Sequence, residues 1–186
     1  MSQIRAFLAV PLPPDLQRQI ARLQNRLAET LPDVRWVRPG TIHLTLKFFG
    51  ELPEESLDRI GEVVLSIGHL SVPFQARLIG VGAFPSPLRP RVIWLGVDGG
   101  PPLAKLQDDL ESALEKIGIP RDDRPFTPHL TLGRRRGTAL AEKCDLAPFK
   151  DATCGELVVD SLVLFESRLE PGGALHLPRK TVGLGR

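Results

Sequence analysis

The run Arg38-Pro39-Gly40-Thr41-Ile42-His43-Leu44-Thr45-Leu46 returns further along the chain as Arg124-Pro125-Phe126-Thr127-Pro128-His129-Leu130-Thr131-Leu132, with only two positions changed. In an extended segment, side chains at i and i+2 share a face, so His43 and Thr45 point one way while Leu44 and Leu46 point into a core. The same holds for His129 and Thr131 against Leu130 and Leu132. A duplication with a purely structural purpose needs only its apolar positions repeated. Here the polar ones are repeated too, which offers two matched acid/base groups and two matched hydroxyls to a single anion.

Outward from these runs, Ile4 to Val10 reads as a strand, and Pro13-Pro14-Asp15 opens a helix with Leu16, Ile20, Leu23 and Leu27 on one face. Residues 34–37 and 42–49 read as extended. A second helix follows Pro53 and buries Leu57, Ile60, Val64 and Ile67. Extended segments are expected over 72–82 and 91–97, separated by the Pro85-Ser86-Pro87 turn. A third helix starts after Pro101-Pro102, buries Leu103, Leu106, Leu110, Leu114 and Ile117, and ends near Gly118. Glu156 to Phe165 alternates as one long strand, and Leu175 to Val182 adds a short last one. Many strands are joined by connections too short for parallel crossovers, so the class is α+β with antiparallel sheets. Each motif copy follows a long helix, which predicts two similar lobes facing one another within one domain, residues 1–186. Outside the nine residues the two halves show no convincing self-similarity.

The 186 residues, 42% of them hydrophobic, suffice for a sizeable core. No apolar run has the length of a membrane span or a signal-sequence core, so a cytoplasmic protein is expected. Cys144 and Cys154 lack the spacing of a zinc ribbon or a thiol oxidoreductase and read as reduced structural thiols. A net charge of +2 says little about nucleic acid. No Gly-rich phosphate loop with its Lys-Ser/Thr is present, nor a His-carboxylate cluster of metallohydrolase spacing. The reading therefore calls for no cofactor and no metal.

Two histidines beside a phosphodiester suit concerted acid/base chemistry, because an ordinary imidazole keeps both protonation forms available near neutral pH. Threonine hydroxyls can donate to the nonbridging oxygens. The paired His43-Leu44-Thr45-Leu46 and His129-Leu130-Thr131-Leu132 resemble the signatures of the two-histidine phosphoesterase superfamily. Arg35-Trp36-Val37-Arg38-Pro39, Lys47-Phe48-Phe49-Gly50-Glu51 and the opening Arg5-Ala6-Phe7-Leu8-Ala9-Val10 resemble its branch of RNA 2',3'-cyclic phosphodiesterases, historically called 2'-5' RNA ligases.

The resemblance implies a bilobal fold with a central cleft and metal-free opening of a 2',3'-cyclic phosphate at an RNA end, tRNA fragments included, to a 2'-phosphate. It assigns His43 as general acid, His129 as general base, and Thr45 and Thr131 as phosphate ligands. The motifs are too alike for the residues to say which histidine plays which part. A strict pleat puts Arg135 on the His129 face, whereas the resemblance favours Arg134 as the phosphate contact, which a bulge at Gly133 would allow. Phe7, Phe48 and Phe49 are candidates for base stacking, although such residues are more often core and Phe48 has the core parity of Leu44 and Leu46. His69 and His176 lack the motif and read as surface or structural. A monomer is expected. The rival readings are a 2'-5' RNA ligase or small cyclic-nucleotide esterase using the same site, an RNA-end-binding module without catalysis, and a metal-dependent hydrolase.

Overall fold

Leu44 and Leu130 lie opposite one another at the centre of a nine-stranded antiparallel sheet in the computed structural model, which describes residues 2–136, 144–170 and 173–185. Among the described residues, nine strands and three α-helices follow one another as β1 (Gln3–Pro11), α1 (Pro14–Ala28), β2 (Val34–Trp36), β3 (His43–Pro53), α2 (Ser56–Leu70), β4 (Phe74–Phe84), β5 (Val92–Asp98), α3 (Gly100–Glu115), β6 (His129–Arg135), β7 (Thr153–Val159), β8 (Ser161–Glu170) and β9 (Gly173–Gly183). Across the sheet the order is β7-β4-β5-β6-β3-β1-β8-β9, with β2 also paired to β6. Each motif copy opens one of the two central strands, and the sheet extends from the Leu44–Leu130 pair on either side. Among the described residues that pair is the only register contact between β3 and β6. The two halves splay from it as lobes that leave a cleft.

The helices begin and end where local chemistry allows. Pro14 occupies the first turn of α1, where a missing N–H costs nothing, with Asp15 in the first turn and Arg26 in the last, as the helix dipole favours. Past the end of α3, Gly118 sits at φ +87 and the Ile119 N–H reaches back to the Leu114 carbonyl, closing the helix with a left-handed cap. All three helices cover one face of the sheet. Their apolar stripes meet Leu44, Leu46, Leu130 and Leu132, which are nearly or completely buried, each contributing about 1.5–3 kcal/mol of burial.

One expected strand proves to be two. The alternation from Glu156 to Phe165 breaks at Asp160, and β7 pairs with β4 in one lobe while β8 pairs with β1 in the other. The phase shifts at the break: Leu157 and Val159 are buried before it, Leu162 and Leu164 after it. β9 runs from Gly173 to Gly183 along the whole of β8, longer than expected. Among the described residues no helix is long and apolar enough to cross a membrane.

Candidate active site

With Leu44 opposite Leu130 in antiparallel register, His43 is turned toward Thr131 and Thr45 toward His129. Four polar side chains, all half-buried, therefore share the cleft face around one local two-fold axis. The Nδ1 of His43 lies 2.8 Å from the Thr41 carbonyl, and that of His129 lies 2.7 Å from the Thr127 carbonyl. A carbonyl only accepts, so Nδ1 carries the hydrogen in both rings and Nε2 is left for chemistry. The residue two places before each histidine thus orients the ring through its main-chain carbonyl, a contact that residue type does not announce.

Beyond the hydrogen bonds, aromatic rings hold the imidazoles. His43 stacks on Phe7 with centroids 4.6 Å apart and an interplanar angle of 22°, and the ring of His176 stands edge-on to it at 5.3 Å. His129 meets Phe84 edge-on at 4.9 Å and lies 6.4 Å from Trp94. Phe165 on β8 and Phe84 on β4 hold equivalent places, each two strands out from its motif strand. Trp94 fits because Gly82 on the neighbouring strand has no Cβ; one there would lie 2.2 Å from the indole. Phe7 is buried beneath this ring cluster on the cleft face, and His69 is exposed at the end of α2. His176, read from the sequence as surface or structural, lies beside His43 because β9 pairs with β8 in a register that sets it opposite Ser167. Nothing local in the sequence announces that placement.

Burial lowers the pKa of His43 from 6.5 to about 4, against a raising contribution from the Thr41 carbonyl and a further small lowering by His176. His129 is lowered too, first by burial and also by the Arg134 cation, and burial lowers His176. These rings are neutral at pH 7 in the free protein. The folded protein prefers uncharged His43, whereas the unfolded chain protonates it near pH 6.5, so stability is full above 6.5 and falls as pH drops toward 4. His43 contributes up to about 3 kcal/mol of that loss. In urea unfolding between about pH 7.5 and 4.5, His43→Asn, whose amide can still donate to the Thr41 carbonyl, should lose stability less steeply than wild type; parallel curves would refute the assignment.

Parity along both motif strands is altered at one equivalent place. Leu46 is an extra residue against β1, and Leu132 an extra residue against β5. After each bulge the next residue also faces the core, and the one after turns into the cleft. Both strands open with the same sequence of buried and accessible positions. Lys47 and Gly133 are therefore buried, while Phe48 and Arg134 are exposed. The core parity expected for Phe48 is corrected: it is 61% exposed, 5.9 Å from the Phe7 ring. Arg134 takes the cleft face, and Arg135 turns away to pair with Asp33. The bulge falls at Leu132 rather than at Gly133. A glycine is needed next to it because a Cβ there would come within 2.5 Å of Val34.

Beside His43 the cleft deepens into a cavity of about 280 Å³ lined by Arg38, Gln17, Phe165, Leu175 and His176 among others. Among the described residues no group of three or more His, Cys, Asp and Glu could hold a metal ion. Cys144 and Cys154 are buried free thiols whose pKa burial raises.

A two-lobed antiparallel sheet that presents one His-x-Thr pair per lobe to a common cleft defines a two-histidine phosphoesterase. The LigT-like phosphoesterase family matches the chain over residues 10–94 and again over 95–176, each match holding one motif copy. The chain belongs to that family. It is 35% identical over 176 residues to the RNA 2',3'-cyclic phosphodiesterase of Methanothermobacter thermautotrophicus, covering 94% of this chain and 95% of the relative. Its similarity to the enzyme of that name from Archaeoglobus fulgidus is 33% over 175 residues, 93% of this chain and 96% of the other. A crystal structure of a Thermus thermophilus protein is similar with a TM-score of 0.85 at 30% identity over 98% of both chains. Escherichia coli LigT complexed with 3'-AMP is similar with a TM-score of 0.79 at 27% identity over 100% of both.

Proposed function

We propose that the protein hydrolyses RNA 2',3'-cyclic phosphate ends to 2'-phosphates, with His43 as general acid and His129 as general base. The observation that carries this reading is the pair of tautomer-fixed imidazoles flanking the Leu44–Leu130 pair, each opposite the other motif's threonine. Relatives covering nearly the whole chain that bear the name RNA 2',3'-cyclic phosphodiesterase support the substrate class.

In the proposed reaction the cyclic phosphate lies between the rings, its nonbridging oxygens accepting hydrogen bonds from Thr45 and Thr131 and facing Arg134. An anion there stabilises one imidazolium, offsetting the burial that keeps the free rings neutral. His129 Nε2 takes a proton from water as its oxygen attacks phosphorus. The bond from phosphorus to the 3'-oxygen breaks on the opposite side, and His43 Nε2 gives that oxygen a proton. The products are a 2'-phosphate and a 3'-hydroxyl, and solvent exchange then removes the proton from His129 and restores one to His43, which resets the pair. Every proton is carried by an imidazole, so no step asks for a metal.

Both lobes come from one chain, so a monomer suffices for the cleft. The reduced thiols fit a cytoplasmic setting, and tRNA fragments with cyclic ends are among the substrates this reading admits. The test is incubation of an oligonucleotide ending in a 2',3'-cyclic phosphate with EDTA present, followed by identification of the terminal phosphate. Undiminished formation of the 2'-phosphate is expected. A 3'-phosphate product, or activity abolished by chelation, would overturn the proposal; joined oligonucleotides without hydrolysis would favour the ligase reading.

A further inference from the structure

The residues after the first motif are sorted against their chemistry. In Leu44-Thr45-Leu46-Lys47-Phe48 a regular pleat would bury Phe48 and leave Lys47 in the cleft, the arrangement that hydration favours. The structure does the reverse: Lys47 is 3% exposed and Phe48 is 61% exposed. Burying a lysine while exposing an aromatic ring is doubly unfavourable unless something holds the inversion.

What holds it is a buried polar anchor. The Nζ of Lys47 donates to Glu111 Oε2 on α3 at 2.9 Å, to the Pro120 carbonyl at 2.9 Å and to Asp122 Oδ1 at 2.8 Å. Glu111, itself buried, also accepts from the Asp122 N–H at 3.2 Å. All three donors of the ammonium are used, and the strand of the first motif is tied to the segment that leads into the second. The other lobe uses an uncharged version. Gln24, buried on α1 beside Leu23 as Glu111 is beside Leu110 on α3, donates to the Val37 carbonyl at 2.8 Å and to the carbonyl of the bulged Leu132 at 2.9 Å.

We infer that Lys47, held by Glu111, is a positioning residue that keeps the Leu46 bulge in place and so presents Phe48 to the cleft as a stacking face for a base of the RNA end. Because Phe48 and Arg134 occupy equivalent places in the two lobes, this gives a nearly symmetric cleft one polarity, with an aromatic face by the first motif and a cation by the second. The inference rests on the reading of the cleft as an RNA-end site. The two can fail separately, since wild-type hydrolysis of the cyclic end supports that reading whatever Lys47 does.

The test is a double-mutant cycle between Lys47→Met and Phe48→Ala on an oligonucleotide with a cyclic phosphate end. Each single variant should raise KM about tenfold, the scale of one lost base stack, with kcat within about threefold and inhibition by inorganic phosphate unchanged. The double variant should be no worse than either single one. Should Lys47→Met fail to fold, Lys47→Met/Glu111→Leu removes both buried charges together and takes its place in the cycle. Additive losses, an unchanged KM in a folded Lys47 variant, or weakened inorganic phosphate binding would each overturn the proposal, the last by showing that the anchor serves the phosphate site at large.

Discussion

His43→Ala and His129→Ala should each lower turnover of a cyclic-phosphate-ended oligonucleotide by two to four orders of magnitude with the fold retained, the range about 10²–10⁴ being the usual contribution of a positioned proton-transfer group. The expectation rests on geometry rather than on residue type. Each ring is fixed by a carbonyl two residues earlier and by aromatic contacts, and with Nδ1 engaged Nε2 is the nitrogen left to exchange protons. If the two act as a unit, His43→Ala/His129→Ala should be scarcely slower than the worse single variant, because losing either one already disables concerted transfer. Far-ultraviolet circular dichroism and thermal unfolding establish that the variants fold. A folded double variant with near wild-type turnover would end the acid/base assignment and leave a cleft that binds RNA ends without reacting with them. A loss confined to KM would say that the rings bind phosphate and move no protons.

The second large effect is on pH dependence. Burial sets the free-protein pKa of His43 at about 4 and holds His129 below its usual 6.5. The working enzyme needs the pair to carry one proton in total. Above the higher of the two values the pair carries none, and the singly protonated fraction falls about tenfold per pH unit. Below the lower value both are protonated and no base remains. The profile of kcat/KM, which reports free-enzyme groups, should be a bell centred on the acid side of about 6.5 and should fall by about a hundredfold from about pH 7 to 9. A maximum at or above about pH 7.5 would show that the rings bind protons in the free protein more tightly than their burial allows. The kcat profile should lie to the alkaline side, because a bound phosphate anion favours imidazolium. Coincident profiles would mean that substrate does not recharge the pair, and the role given to the anion would fall.

Much of this site is legible in the residues because its rules are local. Alternation along a strand puts His43 with Thr45 and His129 with Thr131, and helix periodicity names the leucines behind them. Repetition of polar as well as apolar positions marks the pair as belonging together. The α+β class and the three helices follow from the same reading, while the choice of Arg134 over Arg135 came from the resemblance rather than from the pleat. That resemblance to RNA 2',3'-cyclic phosphodiesterases, carried by the motifs, agrees with the family to which the chain belongs.

Tertiary structure decided what local pattern cannot carry. Whether Lys47 or Phe48 faces the core depends on Glu111, on a helix far along the chain, offering a partner to the ammonium. The arrival of His176 at His43 depends on the register of β9 along β8, and the division of the long alternating run at Asp160 depends on the chain crossing between lobes. Alternation is a property of neighbours in sequence, so the chain states it outright. Register, bulge parity and the meeting of distant strands are set by the free energy of whole surfaces closing on one another, and only the folded molecule holds those surfaces together.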